Sequence, residues 1–440
     1  MRVLIAAHGY PPTHAHGAER RAERTARALI ELGHDVEVLA VERVDSARLF
    51  RDTSRQDGVP VHRLYYDVTP GDRWRNLYDH PFVGEACREV IRSRPFDVVH
   101  VISGYLLGRQ VVDAAKAYDA RVVITLTEFW FLCARLNLLR RTGAICTGPG
   151  AEKCARCLAE ERRRFRLPAQ YAPQVADALW AMGGWLPSRR AAVAATSRRI
   201  EVLSDALACA DLIISPSQFL IDLFRRNGAD VTKFRHMRQG VQGPPPSAPA
   251  PVDGATLRLG YVGQMKEHKG VDLAVTAVAR LVGEGLPVTL DVWGDESDDP
   301  AYARRLHLVG DRVTAIRWLG RTPEDSPWTA LSSIDVLVVP SRWYENSPNV
   351  ILEAFAMGVA VVATNLGGMA ELVADGANGL LFPLNDVDGL CGILRGLVRD
   401  RSLLGRCRTR PSAVRSIADE VRDLADAYVG LGAAPPAAGA

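Results

Sequence analysis

Apolar positions along the chain come in short runs separated by stretches of helical spacing. Residues 3–7 are wholly apolar and too few for a helix, which predicts a first buried strand. A loop rich in Gly, Pro and His follows and ends at Gly17. Beyond it Ala22, Ala26, Leu29 and Ile30 recur with helical spacing, and Gly33 is placed to cap the helix. Runs at 36–41, 59–64, 98–102 and 122–126 predict further strands, with helical segments between the last three. This alternation predicts a parallel, doubly wound sheet.

The pattern pauses at residues 243–251, where prolines preclude both helix and central strand, so the stretch reads as a linker. A second αβ series follows, with strands expected at 257–262, 288–293, 313–319, 336–339 and 359–363. The expected domains are 1–243, a linker at 244–256, 257–410, and a helix at 411–430 crossing back to the N-terminal domain. Residues 431–440 have nothing to bury and are expected to be disordered. Two Rossmann-like halves would face a central cleft at their strand C-terminal ends, where open α/β sheets bind ligands.

Composition narrows the function. The 440 residues suffice for two or three domains, and 48% hydrophobic with 24% charged is ordinary for a globular enzyme. A net charge of +3 gives no reason to expect a nucleic-acid partner. No run approaches the roughly 18 apolar residues of a membrane span, and the N-terminus lacks a signal-peptide core. A cytosolic protein is expected, in which eight cysteines would serve as thiols or metal ligands rather than disulfides. Among 54 basic residues only five are lysines, and Lys266 and Lys269 share one turn.

The densest chemistry follows the strand ending at Pro340. Glu345 lies in a loop; Ser347 is placed to cap a helix with Pro348 in its first turn, Glu353 on its second and Gly358 at its end. The helix N-terminus near Asn349 and Val350 offers amides and partial positive charge, a seat for a diphosphate. Carboxylates on either side suit sugar and ribose hydroxyls. Spacing alone better describes two unrelated glutamates, and the strand–loop–capped-helix context reverses that.

Glu345 through Glu353 resembles the Glu-x7-Glu motif of the retaining glycosyltransferases of family 4, which have the GT-B fold. Residues Gly263-Gln264-Met265-Lys266-Glu267-His268-Lys269-Gly270 resemble that family's phosphate-binding turn. Gly367-Gly368-Met369-Ala370-Glu371 resembles its C-terminal glycine loop. The resemblance covers nearly the whole chain, more closely in the C-terminal half. It implies transfer of a glycosyl group from a nucleoside-diphosphate sugar to a hydroxyl of a lipid-linked sugar, polysaccharide or small molecule, with no metal needed. It assigns Glu345 to the sugar, Glu353 to the ribose and Lys269 to the diphosphate. Gln264 stands where the family commonly has arginine, and Lys266 is a candidate substitute.

On the acceptor side the resemblance points to the glycine loop after the first strand, where His16 and Gly17 remain, with His14 nearby. It also points to Thr127 and Glu128, where the family usually has histidine then aspartate. Thr127 in place of a histidine near the sugar's 6-hydroxyl implies a donor lacking that hydroxyl, recognition moved elsewhere or an impaired enzyme, and altered donor choice is the favoured reading.

Cys133, Cys146, Cys154 and Cys157 fall within one loop, a spacing that suits structural zinc or an iron–sulfur cluster; four unconnected thiols are the alternative. Arg162, Arg163, Arg164 and Arg166, with Phe165, Trp180, Trp185, Arg189 and Arg190, form a basic aromatic segment. It reads equally as a contact for an anionic membrane or as a solvated helix. Two competing functions remain: a nucleotide-sugar epimerase of the same fold, and a non-catalytic nucleotide-sugar sensor.

Overall fold

The computed structural model describes residues 1–13, 17–44, 50–67, 73–243, 254–322, 327–408 and 414–433. They divide into two units: Met1–Arg238 joined by the chain from Ile417 onward, and Gln239–Ser416.

The first unit holds strands β1 (Arg2–Ala7), β2 (Asp35–Arg43), β3 (Phe50–Gln56), β4 (Val59–Tyr66), β5 (Val98–Ile102), β6 (Arg121–Thr125), β7 (Leu212–Ser215) and β8 (Phe234–His236). Their order is β3-β4-β2-β1-β5-β6-β7-β8. Only β3, antiparallel to β4, breaks the parallel register. Its sequence, FRDTSRQ, lacks apolar alternation because it lies at the sheet edge, which is why periodicity does not reveal it.

Helix Gly17–Glu31 packs Ala22, Ala26 and Leu29 onto Val3, Ile5 and Val38. The same core receives Val421, Leu424 and Tyr428 of helix Ile417–Gly430. Leu431 packs there too, and Ala433 is buried, so the tail expected to be unpacked from 431 is packed at least to 433. Tyr428 reaches His100 in β5: its hydroxyl lies 2.6 Å from Nδ1, while Thr125 Oγ1 lies 2.7 Å from Nε2. Burial holds the His100 ring neutral and its pKa down to about 3.

The second unit is a parallel sheet of β9 (Leu257–Val262), β10 (Val288–Trp293), β11 (Ile316–Gly320), β12 (Val336–Val339), β13 (Ala360–Thr364) and β14 (Leu380–Phe382), ordered β11-β10-β9-β12-β13-β14. Its strands alternate two buried faces, one toward Leu259, Val275 and Leu394, the other toward Leu337, Ile351 and Phe355. The expected boundary at 243 moves back, because Val241 pairs with Ser416 and packs against Leu337 within this unit. The expected end at 410 moves forward to Ser416 for the same reason. The prolines of 244–251 lie outside the described residues.

Direction of winding reverses between β9 and β12. In such sheets ligands bind outside the C-terminal ends of the strands at this point of reversal.

Candidate functional site

Both sequence motifs of the second unit emerge at that reversal. The loop after β9 runs from Gly263 to Gly270 and the loop after β12 from Pro340 to Pro348. Gly270 is left-handed, at φ 70°, and a Cβ there would collide with the carbonyl oxygen of Pro340. The two loops touch because that position carries no side chain. Arg342 N–H donates to His268 O at 2.8 Å and fastens them further.

At the junction Lys269 Nζ lies 2.7 Å from Glu345 Oε1. The same oxygen accepts from Ser341 Oγ at 2.9 Å and Trp343 Nε1 at 2.8 Å. Burial pushes the Glu345 carboxyl up, but the Lys269 charge and the three hydrogen bonds outweigh it, so the group sits below its ordinary value and stays ionised. Lys269 also lies over the Trp343 ring, 4.9 Å from its centroid, and His268 meets that ring edge-on at 4.8 Å. Burial and the neighbouring Lys269 hold His268 neutral, its pKa lowered to about 4.

A second tier fixes the loops. Arg342 forks onto Asp272 with two bonds of 2.6 Å, and Tyr302 OH donates to Asp272 at 2.5 Å. Tyr261 OH donates to Gln264 O at 2.7 Å, which orients the backbone of the glycine turn. The Gln264 side chain brings no positive charge, and Lys266 begins a short 3-10 turn, Glu267–Lys269, without reaching Glu345.

Helix Asn349–Ala356 starts one residue later than the sequence predicts. Pro348, in extended conformation, holds the cap position, and no side chain caps the helix. Ser347 is therefore not the cap; its Oγ is buried and has no hydrogen-bond partner among the described residues. The first-turn amides of Asn349 and Val350 have no earlier carbonyl to bond within the helix and keep their anion-binding capacity. Glu353 lies on the second turn, half-buried. Gly367 begins helix Gly367–Leu372, and Gly368 N–H donates to Glu345 O at 2.8 Å. A Cβ on Gly368 would overlap the carbonyl of Asn346 and lie 2.7 Å from that of Glu345. The glycine loop is thus a bracing element for the loop bearing Glu345.

Sequence reasoning passes over four participants: Ser341, Trp343, His268 and Gln239. The first two stand within four residues of Glu345, and proximity was the available signal. Gln239 donates to Ser347 O at 2.8 Å and to Asn349 Oδ1, and no motif marks it.

In the first unit, Thr127 and Glu128 follow β6 and meet Ser103, which follows β5. Thr127 Oγ1 donates to one Glu128 oxygen and Ser103 Oγ to the other at 2.7 Å. Gly17 is the first residue of its helix, while His14 and His16 lie outside the described residues. Cys154 lies within electrostatic reach of Cys133 and Cys146, and Cys157 within reach of Cys133. Among the described residues no three His, Cys, Asp or Glu side chains gather as a metal site. Cys154 and Cys157 lie on helix Ala151–Ala159, whereas Cys146 Sγ donates to Gly148 O at 3.3 Å and Cys133 Sγ accepts from Arg135 N–H at 3.4 Å. Burial raises the Cys157 thiol to about 11 and raises that of Cys154 as well.

Comparison with known proteins agrees with the geometry. Residues 16–237, just over half the chain, match the family "Glycosyl transferase 4-like domain", and 256–400 match "Glycosyl transferases group 1". The chain belongs to this family of glycosyltransferases, with the GT-B fold. It is 26% identical over 438 residues to a glycogen synthase of Mycobacterium tuberculosis, covering 95% of this chain and 91% of the relative. Over 178 residues it is 30% identical to the phosphatidyl-myo-inositol mannosyltransferase of Mycolicibacterium smegmatis, covering 40% and 43%. In fold it is similar to sucrose-phosphate synthase of Thermosynechococcus elongatus (TM-score 0.66, 19% identity, 98% of this chain and 99% of that one). It is likewise similar to Anabaena HepE in complex with UDP and glucose (TM-score 0.62, 15% identity, 97% and 99%). No helix among the described residues is long and apolar enough to cross a membrane.

Proposed function

We propose that this glycosyltransferase is a retaining enzyme that takes its sugar from a nucleoside-diphosphate sugar bound on the second unit. The observation that carries the reading is the Lys269–Glu345 pair, set at the reversal of the sheet beside the N-terminus of helix Asn349–Ala356. Glu345 holds the sugar hydroxyls, Glu353 the ribose, and Gly263, Gln264, Lys266, Gly367 and Gly368 line the donor. The complexes of Anabaena HepE with UDP and UDP-glucose support a nucleotide-sugar donor.

The anomeric carbon–oxygen bond to the diphosphate breaks, and negative charge collects on the departing oxygen. Lys269 can keep one N–H on Glu345 and turn its other two to that oxygen, since an ammonium has three donors. The amides of Asn349 and Val350 add to this stabilisation, the largest single contribution expected in such a reaction. The acceptor oxygen then bonds the anomeric carbon on the face just vacated, and its proton passes to the diphosphate. No metal enters this scheme.

Acceptor recognition falls to the first unit, through Thr127, Glu128, His16 and Gly17. The acceptor is a hydroxyl of a lipid-linked sugar, polysaccharide or small molecule, and the basic aromatic segment would meet an anionic membrane on the cytoplasmic side. Thr127, without an imidazole, favours a donor other than an ordinary hexose. Incubating the protein with a panel of nucleotide sugars, and reading released nucleoside diphosphate and product anomeric configuration by NMR, tests the proposal. Retention with one preferred donor supports it; inversion, or no turnover with any donor and acceptor pool, overturns it.

A further inference from the structure

The first unit contains a cavity of about 1110 Å³ that the reaction does not use. It is enclosed by helices Ala151–Ala159, Arg163–Tyr171, Pro173–Met182 and Pro187–Cys209. Trp74, Leu158, Phe165, Leu179, Trp180 and Leu186 line it. Its volume slightly exceeds the about 300–1,000 Å³ usual for small-molecule pockets.

The outer surface of the same helices is also apolar. Trp185 keeps 70% of its surface exposed and Tyr171 76%, beside exposed Val175, Leu179 and Met182. Exposed apolar side chains concentrated in one short segment suit an interaction surface. Helix Pro173–Met182 contributes no buried residue to the core, so its apolar side chains pack on little else.

Charge at the rim selects the occupant. The carboxylates on the wall are already engaged: Glu160 pairs with Arg140, and Glu161 with Arg141 and, at 2.9 Å, with Arg135. Two carboxylates beside the wall are engaged as well, Asp177 with Arg156 and Glu152 with Arg189 at 2.9 Å. Arg162 and Arg164 line the cavity yet are exposed, and neither makes an ion pair among the described residues; Arg164 lies over the Phe165 ring at 4.9 Å. An apolar chamber with uncommitted guanidinium groups at its mouth is complementary to an amphiphile with a hydrocarbon chain and an anionic phosphate.

We propose that this cavity binds the hydrocarbon chain of an anionic phospholipid, with Arg162 and Arg164 on its phosphate, while the exposed face around Trp185 rests in the surrounding leaflet. The idea deepens the membrane contact offered above and does not depend on the donor chemistry.

Full-length protein would be mixed with lysophosphatidylglycerol, or with lysophosphatidylcholine of equal chain length, and bound lipid counted by native mass spectrometry. The expected result is a one-to-one adduct with lysophosphatidylglycerol, roughly tenfold favoured over the zwitterionic lipid. Ala192→Trp, which fills the cavity from helix Pro187–Cys209, should abolish the adduct. Arg162→Glu with Arg164→Glu, on the exposed rim, should abolish the charge preference and keeps the test valid if the first variant does not fold. An unchanged adduct in folded Ala192→Trp, or equal binding of the two lipids by the unaltered protein, would overturn the proposal. Absence of any adduct would also overturn it and leave the patch to a protein partner. Release of nucleoside diphosphate, measured in parallel, reports separately on the donor reading.

Discussion

Lys269 and Glu345, 76 residues apart in the chain, meet at 2.7 Å because the loops after β9 and β12 converge where the sheet reverses. One residue was expected to hold a diphosphate and the other a sugar. The structure couples them, so each also positions the other.

Coupling has a kinetic consequence. Glu345→Gln and Lys269→Ala should each lower turnover by about 10²-fold or more, the scale for losing one preorganised contact to developing charge. The double variant should be little worse than either single one, because residues acting as a unit are not additive. Steady-state rates for the three variants, with circular dichroism to confirm folding, check this; multiplicative losses would separate the two roles.

The pair should also mark the acid stability of the protein. The Glu345 carboxyl is lowered in the folded state, so its stabilisation is fully present above its ordinary value of 4.5 and is lost as pH falls through the lowered one. The gap in thermal midpoint between the unaltered protein and Glu345→Gln should be constant from pH 7 to about 5 and narrow below that. A gap that widens in acid would mean the carboxyl is not held ionised.

His100 gives a second pH signature of different origin. Its folded pKa of about 3 lies below the ordinary 6.5, so the unfolded chain binds the proton first and stability falls as pH drops through that window. The slope can reach about 1.4 kcal/mol per pH unit, and His100→Asn should remove that contribution. Tyr428→Phe leaves a buried ring nitrogen without its partner and should cost about 1–3 kcal/mol. Denaturant unfolding at several pH values measures both.

Gly368→Ala should disturb the donor loop without touching a charge. The new methyl group would overlap the Asn346 carbonyl, and relieving such overpacking costs about 1–3 kcal/mol. Glu345 would move with its backbone. Weaker nucleotide binding by calorimetry, alongside a lower unfolding midpoint, is the expected outcome.

These predictions rest on features that differ in how visible they are in the sequence. In the second unit β12 and β13 stand out because they are buried throughout and read as continuous apolar runs; β3 and β14, at sheet edges, do not. Glu345, Lys269 and Gly368 are legible because spacing along a strand–loop–helix unit is local. Gln239 is not, since its bonds to Ser347 and Asn349 depend on how the chain returns to that helix. Ser347 looked like a cap by residue type, yet Pro348 in extended conformation takes the position. The cysteines that cluster in sequence also lie near one another in the fold, Cys133 and Cys146 in a loop and Cys154 and Cys157 on helix Ala151–Ala159.

The central claim is that Glu345 and Lys269 form the sugar and diphosphate contacts of a nucleotide-sugar donor site. Its most direct test is the rate of nucleoside diphosphate release from the preferred nucleotide sugar, compared between the unaltered protein and Glu345→Gln under identical conditions. We predict a loss of about 10²-fold or more in the variant. Near-equal rates in a folded variant would contradict the account.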